Sequence, residues 1–186
     1  MLMNVFYLAH LFFLVSSQSS FYDDLQTIEL KEYSGVEVNI VPNDSLLFLF
    51  VYLNPDCPIS QKYASKIRLL SEKDMVSLIG VQPNLGVTRE QIETFKSEFQ
   101  FDFPIINDER QLLTSYMGAT VTPEVFLVDS QGQVIYQGAI DNWFVALGKY
   151  RPAATELFVD DVIAAWAIGS SVQVSKTEAI GCLIQD

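Results

Sequence analysis

The sequence predicts one α/β domain in three layers, with a mixed sheet of four or five strands covered by helices on both faces. Three observations carry that expectation. Leu46 to Leu53 is a run of eight apolar residues without a charge, the composition of a central strand buried on both sides. Around it, strand-like and helix-like segments alternate, which favours parallel pairing through right-handed crossovers. Further on, Glu124 to Val128 and Gln133 to Gln137 read as two strands joined across Ser130-Gln131-Gly132, a hairpin that adds antiparallel partners.

The first segment stands apart from this pattern. Between Met1 and Val15 only Asn4 and His10 interrupt the apolar residues, and Ser16, Ser17, Gln18, Ser19 and Ser20 follow. Spanning a bilayer takes ~20 residues, so residues 1–19 read as a secretory signal cut after Ser17 or Ser19. The first basic residue is Lys31, so the usual charged leader is missing, and a buried N-terminal element is the alternative. Removal of the signal leaves no histidine, because His10 is the only one, and places the chain outside the cytoplasm, periplasmic or secreted, where disulfides persist.

The domain itself is expected over residues 20–169. Phe21 to Asp44 alternates short apolar and polar pieces around Gly35, with Val36, Val38 and Ile40 on one side of an edge strand. The central strand ends in the turn cluster Asn54-Pro55-Asp56, and Cys57 follows at once. From Pro58 the spacing of Tyr63, Ile67 and Leu70 is helical, with Gln61, Lys62, Lys66, Arg68 and Glu72 on the wet face. A second strand is expected at Met75 to Val81. Thr88 and Gln91 then form a capping box for a helix lined by Ile92, Phe95 and Phe99. Phe103 to Ile106 reads as extended, and Leu112 to Met117 as a helix stopped by Gly118. The last helix is expected to open at Pro152 and run through Phe158, Val162 and Trp166 to Gly169; Trp143, Phe144 and Tyr150 before it read as core or capping aromatics. A polar tail, residues 170–186, carries Cys182. The order β-α-β-α, hairpin, helix is the thioredoxin-like layout.

Composition narrows the chemistry. The 186 residues are 49% apolar, enough for one core, and 23 acidic against 11 basic residues give a net charge of −12. That charge repels phosphate backbones and anionic lipid, so nucleic acid is excluded as a partner and no membrane insertion is expected once the signal is gone. Two cysteines allow at most one internal disulfide and rule out thiolate zinc cages, and Asp129, Asp141, Asp160 and Asp161 lack calcium-loop spacing, so no metal is expected. Neither a Walker loop nor a Gly-x-Gly-x-x-Gly is present, and no cofactor is expected.

Attention falls on Cys57. It stands where a buried strand gives way to a helix, and the unpaired N–H groups and positive dipole end there favour a thiolate. Pro58 suits the first helical position. Asp56 beside the sulfur opposes ionisation, and Lys62 offsets it only by folding back, so a mildly activated thiol is expected. A second element is Val121-Thr122-Pro123-Glu124-Val125-Phe126, in which a proline at a strand start must sit at an edge or turn. A cis Thr122–Pro123 bond would put the Thr122 backbone beside the sulfur, ready to pair with a substrate main chain as an added strand.

Asp56-Cys57-Pro58-Ile59-Ser60 after a hydrophobic strand, with Gly118 to Asp129 some sixty residues later, resembles the redoxin and alkyl-hydroperoxide-reductase/thiol-specific-antioxidant branch of thioredoxin-like proteins over about Leu25 to Gly169. The resemblance implies that Cys57 is the nucleophile and Pro123 the cis-proline, and that Ser60 replaces the second cysteine of a Cys-x-x-Cys site. It implies exchange with protein or small-molecule disulfides and an external thiol reductant. Cys182 either resolves Cys57, since loop closure costs grow only logarithmically with length, or is structural; a single-thiol cycle with Ser60 as donor to the thiolate is the other completion. A peroxidase pattern, Pro-x-x-x-Thr/Ser-x-x-Cys, departs at Phe50 and Asn54, and none of Arg68, Arg89, Arg110 and Arg151 can be assigned to a peroxide. A non-catalytic module with a Cys57–Cys182 staple also stands open.

Overall fold

Side chains that alternate along one strand organise the molecule, whose computed structural model describes residues 20–185; the apolar segment read as a signal, with His10, lies outside them. That strand, β1 (Leu47–Tyr52), is buried at every position. Leu47, Leu49 and Val51, with Leu53, enter one apolar cluster, while Phe48, Phe50 and Tyr52 enter another on the opposite face. This period of two is the geometry of a strand sandwiched between layers.

The five-stranded sheet has the order β3-β2-β1-β5-β6, with β2 at Val76–Gln82, β3 at Ile105–Asn107, β5 at Glu124–Val128 and β6 at Val134–Gly138. β1, β2 and β3 run parallel, and β5 and β6 are antiparallel. Helices α2 (Pro58–Ser71), α3 (Arg89–Phe99) and α5 (Phe158–Ala167) bury Ile67, Phe95 and Val159 against the first face. Helices α1 (Phe21–Thr27) and α4 (Leu112–Met117) place Phe21, Leu25 and Leu113 on the second. The expected three layers and mixed sheet are present, as are the Thr88–Gln91 capping box and the Gly118 stop, where φ is +74°.

Three local expectations fail, each for a legible reason. Phe21–Thr27 is a helix, opened by a reciprocal cap between Ser20 and Asp23 and fastened by its aromatic side chains. The edge strand at Val36 to Ile40 does not form: Val36 is 61% exposed, and this region makes only isolated bridges, Lys31 to Glu37 and Glu32 to Ile106. Finally, α5 opens at Phe158 and not at Pro152. Upstream, Phe144–Ala146 and Lys149–Tyr150 pair as strands β7 and β8, and the Asn142 Oδ1 accepts the N–H groups of Thr155 (2.9 Å) and Glu156 (3.2 Å). Those bonds hold the chain out of helix until Leu157.

The remaining two strands matter most. β4 (Val121–Thr122) pairs antiparallel with β9 (Cys182–Leu183), a piece of the C-terminal tail. Before reaching it the tail runs along the free edge of β6: Gln137 N–H donates to the Ser175 carbonyl at 2.9 Å, and Thr177 N–H to the Gln137 carbonyl at 3.0 Å. No helix among the described residues is long and apolar enough to cross a membrane.

Candidate active site: two cysteines at the start of a helix

Cys57 is the residue that caps α2, with Pro58 exposed at the first helical position. The turn that delivers it is self-made. Asn54 Oδ1 accepts the Asp56 N–H at 2.9 Å, the Asn54 carbonyl accepts the Cys57 N–H at 3.0 Å, and the Asn54 N–H donates to Ser60 Oγ at 3.4 Å. Because β1 is fixed on both faces and α2 is anchored by Ile59, Tyr63 and Ile67, the sulfur has little freedom; Cys57 is 1% exposed.

Opposite the helix start lies the second predicted element. The Thr122–Pro123 peptide is cis, as the sequence reading anticipated, and the Cys57 thiol donates to the Thr122 carbonyl at 3.0 Å. The segment is held by the buried Glu124 carboxylate, which accepts the N–H groups of Thr120 (2.8 Å) and Val121 (3.4 Å). Glu124 was not singled out from sequence, though its place directly after the proline was the available signal.

Cys182 arrives from the other side. In the β4–β9 ladder it is the partner of Thr122, so both cysteines meet the same backbone unit and Cys182 comes near enough to act on the Cys57 thiol. Neither is in a disulfide. Burial pushes the Cys57 thiol up, but the Cys182 side chain and N–H and the Ser60 N–H and hydroxyl together outweigh it and hold the thiol below its ordinary pKa. Burial and the neighbouring Cys57 push Cys182 up to about 12, against the Ile59 N–H. The two shifts run in opposite directions and favour Cys57 over Cys182 as the thiol that ionises. Asp56 takes no part in this balance: it is exposed and accepts from Gln91 Nε2 at 3.5 Å. Lys62 does not fold back either, since its Nζ lies 4.7 Å from the Tyr150 ring centroid.

Gly181, directly before Cys182, serves a close approach and not a turn. Its φ is not positive; instead, an added Cβ would lie 2.5 Å from the Thr122 carbonyl oxygen and 2.7 Å from its carbon. Glycine is there so that the tail can lie flat on Thr122. Trp143 and Phe144 pack on Tyr63, whose hydroxyl donates to Asp141 at 2.6 Å, and so brace α2, while the exposed Tyr150 covers Trp143 and Phe144 from the surface. Among the described residues no group of His, Cys, Asp and Glu is arranged to hold a metal.

No protein-family model and no curated protein matches the sequence. Solved structures do match. An uncharacterized conserved protein from Geobacillus kaustophilus is 20% identical at a TM-score of 0.73, covering 86% of this chain and 88% of its own. A secreted Mycobacterium tuberculosis disulfide oxidoreductase homologous to E. coli DsbE is 13% identical at 0.55, covering 79% of this chain and 98% of its own. A thioredoxin-like protein from Aeropyrum pernix is 16% identical at 0.52, over 60% and 80%. With the sheet order, the cis-proline and the cysteine at the helix start, these likenesses establish that the chain has the thioredoxin-like fold.

Proposed function

We propose that the protein is an exported thiol–disulfide oxidoreductase in which Cys57 is the nucleophile and Cys182 the resolving thiol. One observation carries the reading: two cysteines 125 positions apart in sequence converge on the Thr122 backbone, with their acidities driven in opposite directions. The Cys57 thiolate attacks one sulfur of a substrate disulfide, forming a mixed disulfide and releasing the other sulfur as a thiolate that takes up a proton. Consumption of the Cys57 anion removes one of the charges that held the proton on Cys182. Cys182 then loses its proton, attacks the Cys57 sulfur, and expels the second substrate thiol. The substrate ends as two thiols and the protein as a Cys57–Cys182 disulfide, which an external thiol reduces back.

Disulfide exchange is favoured over peroxide reduction by what surrounds the sulfur. The groups acting on Cys57 are Cys182 and Ser60, whereas Arg68 pairs with Glu72, Arg89 with Glu93, and Arg151 donates to the Asn142 carbonyl. Export rests on the apolar leader of residues 1–19 and on the persistence of disulfides outside the cytoplasm. Reduction of a small aromatic disulfide by dithiothreitol-charged protein tests the cycle. The wild type should accelerate it, Cys57→Ser should not, and Cys182→Ser should accumulate a mixed disulfide through Cys57. Equal rates for wild type and Cys57→Ser would remove the proposal.

A further inference from the structure

The backbone edge of Thr122, where an incoming polypeptide would pair, is already taken by the protein's own tail. β9 fills it in antiparallel register, Val121 opposite Leu183 and Thr122 opposite Cys182. The Ile184 N–H extends the pairing to the Thr120 carbonyl at 3.0 Å. With the tail in place Cys57 is 1% exposed, so no external disulfide can reach it.

The occupant is held mainly by its backbone: Ile180 and Ile184 are only half-buried against the two core clusters, and the Gln185 carbonyl accepts from Gln111 Nε2. Of residues 170–185 only Gly181 is buried, and Leu183 is 76% exposed. Upstream there is one firm anchor: Thr177 Oγ1 meets the Tyr136 hydroxyl at 2.6 Å and accepts the Ala139 N–H at 3.0 Å, beside Gly138, where a Cβ would meet the Thr177 carbonyl at 2.2 Å. Between that anchor and Gly181 the chain borders a cleft of about 500 Å³ formed with Thr120, Val121, Glu124 and Gln137. The tail also leaves the Thr122 hydroxyl, on a residue 1% exposed, without a hydrogen-bond partner among the described residues. A segment with few buried apolar contacts belongs to the low-stability end of a fold and opens locally before the core does.

We propose that Gly181–Leu183 is a tethered stand-in for substrate: the β4 edge is a docking site for one extended polypeptide strand, and its register demands a residue without a side chain directly before the reacting cysteine. The substrate class is therefore an extended Gly-Cys segment of a protein, admitted when the tail downstream of the Thr177 anchor lifts off. Return of the tail restores Cys182 to the position opposite Thr122, so resolution of the mixed disulfide and expulsion of the product strand are one motion. The inference rests on the proposed dithiol cycle for its chemistry, but its test reads occupancy of the groove and not exchange.

The experiment uses the full chain carrying Cys182→Ser, in which no internal disulfide forms, and follows alkylation of Cys57 by iodoacetamide with mass spectrometry. Gly181→Val, which drives a side chain into the Thr122 backbone, should speed alkylation by about tenfold or more, as expected when a protecting local opening becomes easier. Thr177→Val, which releases the other anchor without touching the groove, should act in the same direction and covers the case in which Gly181→Val fails to fold. The free peptide Ala-Ile-Gly-Ser-Leu-Ile-Gln should restore protection to the accelerated variant, and the same peptide with valine in place of glycine should not. Unchanged alkylation in both variants overturns the proposal, as does protection by neither peptide or by both alike. Failure to reduce the small aromatic disulfide in the earlier assay, with these results intact, would overturn the exchange chemistry and leave the docking site standing.

Discussion

The two cysteines reach one another by opposite means. Cys57 is delivered by the most buried part of the molecule, between a strand with no exposed residue and a helix anchored by Tyr63, Ala64 and Ile67. Cys182 is delivered by a polar tail that lies on the surface, attached through backbone hydrogen bonds, the Thr177 hydroxyl, two close glycine approaches and the half-buried Ile180 and Ile184. The difference suits a nucleophile that must hold its geometry and a partner that must come and go. Hydrophobic burial fixes the first, and a row of exposed hydrogen bonds, each worth about 0.5–1.5 kcal/mol net, holds the second reversibly.

The sharpest way to break this comparison is by stability. Ile67→Ala, deep under α2, should cost ~2–5 kcal/mol, while Leu183→Ala in the tail should fall within about 0.5 kcal/mol of wild type. Urea unfolding of the two variants decides it, and equal losses would mean that the tail is part of the core. Amide exchange offers a second measure. The Leu49 and Val51 amides should exchange only with global unfolding, and the Ile184 amide faster by about two orders of magnitude or more.

A smaller effect concerns acidity. The thiolate absorbance of Cys57 should titrate below the ordinary thiol range, and Ser60→Ala, by removing a donor to the anion, should move the midpoint up. The linked effects on stability have opposite signs. The lowered Cys57 pKa contributes stability above the unfolded-state value, and this is lost as pH falls through the folded value. The raised Cys182 pKa contributes below the unfolded value of ~8.5, and this is lost as pH climbs toward about 12. A single thiol titrating at its ordinary value in Ser60→Ala and wild type alike would contradict the arrangement. The smallest change is expected for Thr122→Val. Its hydroxyl is buried and unpartnered in the resting state, so removing it should alter stability by less than about 1 kcal/mol in calorimetry.

Much of the site was legible because it is local. The apolar run through β1, the turn chemistry of Asn54 to Asp56, Cys57 at the helix start and the Thr-Pro strand opening are each written within a few residues. Other segments misled the same rules. Val36, Val38 and Ile40 have strand spacing but find no ladder, and Pro152 is a good helix opener that Asn142 overrides by holding residues 155 and 156 from a distance.

The sequence by itself determined the layered α/β core and the placement of Cys57, because side-chain periodicity and turn residues encode which faces are buried and where a strand yields to a helix. Only the tertiary structure decided that Cys182 joins the site. β4 and β9 are two residues each and are paired through main-chain groups, which every residue carries alike and which leave no pattern in side chains. Even Gly181 became informative only when the Thr122 backbone was found against it, since a close approach is a property of two segments and is written in neither one.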